Sequence, residues 1–553
     1  MKKILLTLLV LTALPFAMIA VSTRDTYYMQ RAAEAVRGGD KETAIQYLSR
    51  ELDDNPTNGY AHMWVAIICA HMDSYGWALQ YAQSALQYLP KQDHESRSDM
   101  NVLLSEIYVD AKDTTLAVSY LEKALKEYPQ DIRIYNKLVY ISEDGDNNAD
   151  ALRYAQMAVK NLPKLQRAYF LMVSALMTNE RYDEALANCN KALKLAKEDA
   201  KARSLALSYR AEVYYRDKQP SAALADLMSA TRLDGAGMDE TLMRQIADTI
   251  PDEVRDTLLA AHEQEPEQLF WSIYLYHFYY DTNEFLKAAQ LSFSLLPKYS
   301  SNNNVYYLAS LLEFHIGDAE LAERLLLKQL RTDSTSAGTY VRLEELYAEQ
   351  CRYNEAFEMA DKALSFNPTD REKSMVYFLR GRLYELKHDY TKAIADYMAG
   401  MIADPDEYDQ WFRIGKLYGL MNDSVKQAEA FEQGHKAFAA HGRELTAEVY
   451  VVLKDTAAAY EATQKRMTKK KSAEQHYNAA CVFAQIGYTE EALQHLRLAF
   501  EYGFRSFYHI AWDTDLNSLR DLPEFEQMVN EYKQRTEQQK QELRASIDTE
   551  LNY

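Results

Sequence analysis

Cysteine is scarce: four residues in 553. Cys69, Cys189, Cys351 and Cys481 are widely separated, and no C-x-x-C or metal-ligand spacing links any two of them. They read as small buried apolar side chains rather than as a disulfide or metal framework. Basic charge is in deficit as well, with 62 Lys and Arg against 82 Asp and Glu and a formal charge of −20. That balance argues against a nucleic-acid backbone as the main ligand. It suits a neutral or basic protein partner, and also solubility alone. Long apolar runs are missing except at the start, where Lys2 and Lys3 precede the stretch Ile4–Val21. The run is short for a bilayer span and is interrupted by Pro15. With Ala20-Val21-Ser22 as a small-x-small site, residues 1–22 have the form of a secretory signal peptide and predict export, to the periplasm where there is an outer membrane. The alternative is an inner-membrane anchor formed by residues 4–21. No cysteine lies near the run, which argues against a lipid anchor.

Catalytic and cofactor motifs are lacking too. His262-Glu263 has no second histidine for a zinc-protease helix. His435 and His441 are not spaced to share a helix face as ligands. Gly235-Ala236-Gly237 has no third glycine and no preceding strand. The acidic run Glu143–Asp150 suggests a calcium loop, but Ala149 and Ala155 stand where the loop needs Gly and a bidentate Glu. No enzyme, cofactor or metal is expected.

A repeating unit is what the sequence does contain, clearest over residues 337–370. Tyr340, Leu343, Leu346 and Tyr347 share one helical face, and Ala356, Met359, Ala360, Ala363 and Leu364 share another. Pro368 ends the second helix, because it lacks an N–H and disfavours helical geometry at Asn367. Alanines in the same local context recur at 44, 78, 117, 151, 185, 223, 288, 322, 356, 393 and 492, with five intervals of 34. Divergent units fall near Val254, Ala428 and Ala459. Pro56, Pro90, Pro129, Pro163, Pro368 and Pro405 each follow such an alanine by 12 residues. A helix pair this short cannot bury its apolar stripes alone, so copies must stack.

The pattern resembles the tetratricopeptide repeat, carried by Tyr377, Gly381, Tyr384, Ala393 and Pro405, by Trp411, Gly415 and Tyr418, and by Tyr340, Tyr347, Ala356, Ala363 and Pro368. Glu344 departs from it at the small-residue position. The resemblance covers roughly residues 25–525. It implies an all-α superhelical solenoid of about 13–14 antiparallel helix pairs, with the first helix of each pair (helix A) lining a concave groove. The expected layout is an array over 25–234, a divergent repeat or bend over 235–268 and a second array over 269–440. A divergent repeat over 441–472, a last repeat with its cap over 473–528 and a polar tail over 529–553 follow. The cap resembles an end-of-group segment of tetratricopeptide arrays through Asp513, Asp515, Leu516, Leu519, Arg520, Pro523 and Phe525. Its job is to cover the apolar face of the final repeat. The tail after it is expected to be a frayed helix or disordered.

From the repeat positions, the groove-facing side chains are Arg133, Asn136, Tyr140, Arg167, Phe170, Arg216, Phe378, Arg382, Phe412 and Lys416. Aromatic and Arg side chains are apt anchors for a peptide. The Lys/Asn pattern of a carboxylate clamp is missing. The expectation is an exported, non-catalytic scaffold binding a protein or peptide along its groove, with no nucleic acid and no membrane contact beyond an uncleaved N-terminal segment. The alternative is a ligand- or glycan-binding component of a surface uptake system, or an accessory subunit of an enzyme complex.

Overall fold

The computed structural model describes residues 26–235, 239–297, 308–468 and 472–547. The signal-like segment and the basic run Lys469-Lys470-Lys471 lie outside the described residues. Among the described residues there is no strand, and helices follow one another in antiparallel pairs from Tyr27–Arg37 with Lys41–Asp54 to Ala473–Gln485 with Thr489–Glu501. Contacts divide the chain into two compact units, residues 1–254 and 255–553, the division falling inside the helix Pro251–Gln264.

The turn between helices A and B recurs almost unchanged. In thirteen such turns one residue has positive φ, and only Gly39, Gly317 and Gly487 of the thirteen are glycine; the others include Asp73, Lys112, Glu180, Cys351 and His388. The next residue caps helix B, and in twelve of the thirteen its N–H returns to the carbonyl five residues back, as from Asp113 to Tyr108, Asp389 to Tyr384 and Asp455 to Tyr450; Asp318 reaches six back, to Leu312. This ties off helix A. The cap side chain then accepts from helix B, as Asp40 does from Thr43 and Asp423 from Lys426. The acidic run 143–150 is such a turn, with Asp146 at positive φ and Asn147 as the cap.

Four residues past each cap lies the close crossing of the two helices. Ala44, Ala78, Ala117, Ala151, Ala185, Ala223, Ala288, Ala356, Ala393 and Ala492 are completely buried there, and so are Val254 and Ala459 in divergent units. Ala428 does not hold that position: it is exposed, and Gln427 stands in its place against Gly419. The recurring prolines start the link to the next repeat. Tyr135 and Tyr169 donate to the carbonyls of Pro129 and Pro163, and Tyr340 makes the same bond to Ser334. Each phenol thus fixes a link while its ring fills the core, which gives part of the tyrosine content a structural use.

Glu344 is the exception within this scheme. A Cβ on Gly381 or Gly415, at the same position of their hairpins, would collide with the ring of Tyr397 or Phe431. In the hairpin of Glu344 the residue matching Tyr397 is Ala360, which leaves room for a longer side chain. Glu344 is fully buried there and neither carboxylate oxygen has a hydrogen-bond partner among the described residues. Burial pushes its carboxyl well above the usual range.

Three of the four cysteines are buried as expected; Cys351 is exposed, because it occupies one of the positive-φ turn positions. Of the two expectations for the tail, a frayed helix or disorder, a helix is what forms up to residue 547. One helix, Pro523–Ile547, runs through it and buries Tyr532, Thr536, Leu543 and Ile547, so order persists up to residue 547.

Candidate partner-binding surface

The A helices of the first unit are Tyr27–Arg37, Gly59–His71, His94–Asp110, Ile132–Asp144, Gln166–Thr178, Ala200–Arg216 and Glu240–Thr249. Of the residues expected to face a partner here, Tyr140, Arg167 and Arg216 are exposed and Asn136 is half-buried. Arg216 pairs with Glu212 one turn back. Arg133 is committed to its own chain, its guanidinium meeting Asp131 at 2.7 Å and Asp99 of the preceding repeat at 2.9 Å. Asp131 also caps the helix by accepting from the Arg133 N–H. Phe170 is a core residue, 5% exposed and stacked on Tyr209 at 4.3 Å between ring centres.

The second unit places its A-helix residues differently. Phe412 is 1% exposed, packed among Phe431, His435 and Phe438. Phe378 is half-buried beneath the Arg413 guanidinium, 5.5 Å from the ring centre. Arg382 lies 5.6 Å from the ring centre of Trp512, which belongs to the cap. Lys416 is exposed and acts electrostatically on Asp515. The fold therefore sets Arg382 against the chain's own C-terminal segment and leaves Lys416 exposed within electrostatic reach of it.

That segment crosses the A helices of four successive hairpins. The Arg505 N–H donates to the carbonyl of Phe314 at 2.6 Å. His509 Nδ1 lies 2.6 Å from Glu349, and the Trp512 indole N–H donates to the Glu349 carbonyl at 2.9 Å. Asp515 faces Lys416, Arg413 and Arg382, whose charges oppose the upward push that burial gives its carboxyl. Behind the crossing, Asp513 accepts from Tyr477 at 2.6 Å and meets His509 Nε2 at 3.3 Å. Burial disfavours the His509 charge, but Asp513 and Glu349 on its two sides outweigh it and hold its pKa up at about 9. Burial also works against the Asp513 carboxylate, and His509 and Tyr477 more than offset it, holding that carboxyl below its usual range. Arg342, itself buried, bonds Glu313 in the preceding hairpin and Glu345 one turn along its own helix.

A second seam lies beside the first. Leu312–Ile316 forms a turn of π-helix ahead of Gly317. It presents His315, whose Nδ1 lies 3.0 Å from the Gly503 carbonyl and must therefore carry the proton; Nε2 then accepts from Tyr280. Burial pushes this imidazole down to about 4, so it is neutral. Gly317 has positive φ, and a Cβ there would crowd Thr536 and Arg505. Further out, Arg544 grips Asp318 through two bonds of 2.7 and 2.8 Å and also reaches Glu320. None of these partners could be paired by periodicity: Glu349 and His509 are 160 residues apart, Asp318 and Arg544 226.

Stacked helical hairpins with alanine at most of their crossings define a repeat scaffold. The model of the family described as tetratricopeptide repeat matches residues 98–131 and 166–199. Those two stretches are tetratricopeptide repeats. Human protein O-mannosyl-transferase TMTC1 is 21% identical over 156 residues, 28% of this chain and 18% of that protein, so the match spans less than a fifth of the relative's length. Among solved structures, Naa15/Naa10 bound to HypK-THB aligns over 94% of this chain and 81% of that chain at 15% identity, with a TM-score of 0.33. YrrB, described as a TPR protein with an unusual peptide-binding site, aligns over 34% of this chain and 93% of that chain at 18% identity, with a TM-score of 0.27.

Proposed function

We propose that this protein is an exported, non-catalytic scaffold that holds a protein or peptide partner on the A-helix face of its first unit. The observation that carries this reading is the contrast in commitment. Tyr140 and Arg167 are exposed on successive A helices, whereas Arg382 in the second unit is engaged by the protein's own cap. An exposed aromatic ring and a guanidinium anchor a peptide at low entropic cost. The test is affinity purification from the exported fraction, with Tyr140→Ala and Arg167→Ala together. Loss of the captured partner with an unchanged helical spectrum is expected; undiminished capture rejects this face as the binding surface.

A second reading rests on a different feature. Trp77 is 60% exposed and leans on Tyr81 at 6.2 Å, while His62 stacks on Tyr88 at 5.5 Å. Such a platform suits the apolar face of a sugar ring, in keeping with a glycan-binding component of a surface uptake system. A thermal-shift screen with oligosaccharides, comparing the unaltered chain with Trp77→Ala, decides between the two: a shift that disappears in the variant favours the glycan.

A further inference from the structure

The segment 504–520 is held the way a tetratricopeptide face would hold a foreign peptide. It runs across A helices near Phe314, Glu349, Arg382 and Lys416, and it offers an aromatic ring, a charged imidazole and acidic groups in sequence. Its polar bonds go to a main-chain carbonyl at Phe314, to both the carbonyl and the carboxylate of Glu349, and its acid faces three cations. A cap whose only task was to cover the last repeat would need contacts with residues 473–501 alone. Those contacts exist: Leu516 and Leu519 are fully buried in the core that contains Phe483 and Leu496. The bonds to Phe314 and Glu349 are additional, and they fall on earlier hairpins that the last repeat's apolar face does not include.

We infer that the A-helix face of the second unit is a peptide-binding site for segments carrying an aromatic residue followed by carboxylates, and that residues 504–520 are its resident ligand. An external protein segment of the same chemistry binds there only by displacing the resident one. The inference rests on reading A-helix faces as binding surfaces. It concerns only residues of the second unit, so its failure leaves the assay on Tyr140 and Arg167 standing, and the reverse holds too.

The test uses the full chain and the synthetic peptide FRSFYHIAWDTDLNSLR, which copies residues 504–520. With His509→Ala and Trp512→Ala in the chain, the resident segment loses its hold. The labelled peptide is then expected to bind at least about tenfold more tightly than to the unaltered chain, by fluorescence anisotropy; tenfold corresponds to about 1.4 kcal/mol. A peptide carrying the same two alanines is expected not to bind. Equal binding to altered and unaltered chains, or binding to neither, overturns the inference. Should the doubly altered chain lose its helical spectrum, Glu349→Gln takes its place: it weakens the grip on His509 and leaves the core around Leu516 and Leu519 untouched. The competing peptide is then read for displacement of the resident segment, as new proteolytic cleavage within residues 504–520. Cleavage that appears only with the unaltered peptide supports the inference, and a cleavage pattern indifferent to either peptide overturns it.

Discussion

The two units are built from the same hairpin and end in different states. In the first, the hydrogen bonds described reach no further than the neighbouring repeat, the longest running from Gln166 to Ala202. In the second, Gln290 meets Ser546 and Arg544 meets Asp318 across more than two hundred residues. Where they share a device it is nearly superimposable. Arg210 forks onto Asp226 in the first unit and Arg380 onto Asp396 in the second, each pair 16 residues apart with bonds of 2.6 to 2.8 Å. The hairpin therefore does not decide whether an array stays open. Stability in an open stack is a sum of neighbour terms; a stack bolted to itself adds cooperativity between distant repeats.

Asp513→Ala breaks the comparison most severely. It removes the carboxylate that Tyr477 and His509 share and leaves the buried imidazolium with Glu349 alone, at a cost on the order of 3 kcal/mol. In calorimetry the loss is expected in the transition of the second unit and not in that of the first. Asp226→Ala and Asp396→Ala sharpen it, since each leaves a half-buried guanidinium without its fork. Both are expected to destabilise by about 2–4 kcal/mol; a much smaller effect in either unit would mean that neighbouring groups replace the lost acid there.

The two histidine seams give the second unit a pH profile of its own. The His509 pKa is raised in the folded chain, so its stabilisation is complete below the ordinary histidine value near 6.5 and disappears as pH rises through about 9. The His315 pKa is depressed, so its stabilisation is present above 6.5 and is lost as pH falls toward 4. Thermal melts are expected to peak near neutrality. His509→Gln should remove the alkaline fall and leave the acid one. The smallest effect is a gain: Glu344→Met replaces an unpartnered buried acid and should raise stability by about 1–3 kcal/mol at pH 7. Because that carboxyl is raised above its unfolded value, the gain should shrink as pH falls toward the unfolded glutamate range.

The local design was legible in the sequence. Alanine at most crossings and proline at six of the links are steric choices, and sterics leave a compositional mark. The positive-φ turn residue left almost none, because hydrogen bonds on both sides of it compel Lys112 or Cys351 into a conformation glycine would enter freely. Phe170 and Phe412 were misplaced on the surface because a repeat position specifies a direction and not what the adjacent hairpin puts there. Glu344 could be noticed as anomalous but not resolved, since the space it enters is made by Ala360 on the other helix. The closure of the second unit was out of reach. Its partners obey no period, and the terminal helix hides seven buried residues in a sequence rich in Gln, Glu and Lys.

The clasp of Gly503 on His315 sets a limit on how this gene can change. An open array tolerates a duplicated or deleted unit, because every junction resembles every other. Between Gly317 and Gly503 the number of hairpins determines whether the two ends meet, so a gain or loss of one would leave His315 facing the wrong residue. Length variation among descendants of this sequence should accordingly accumulate before Val254 and be purged after it.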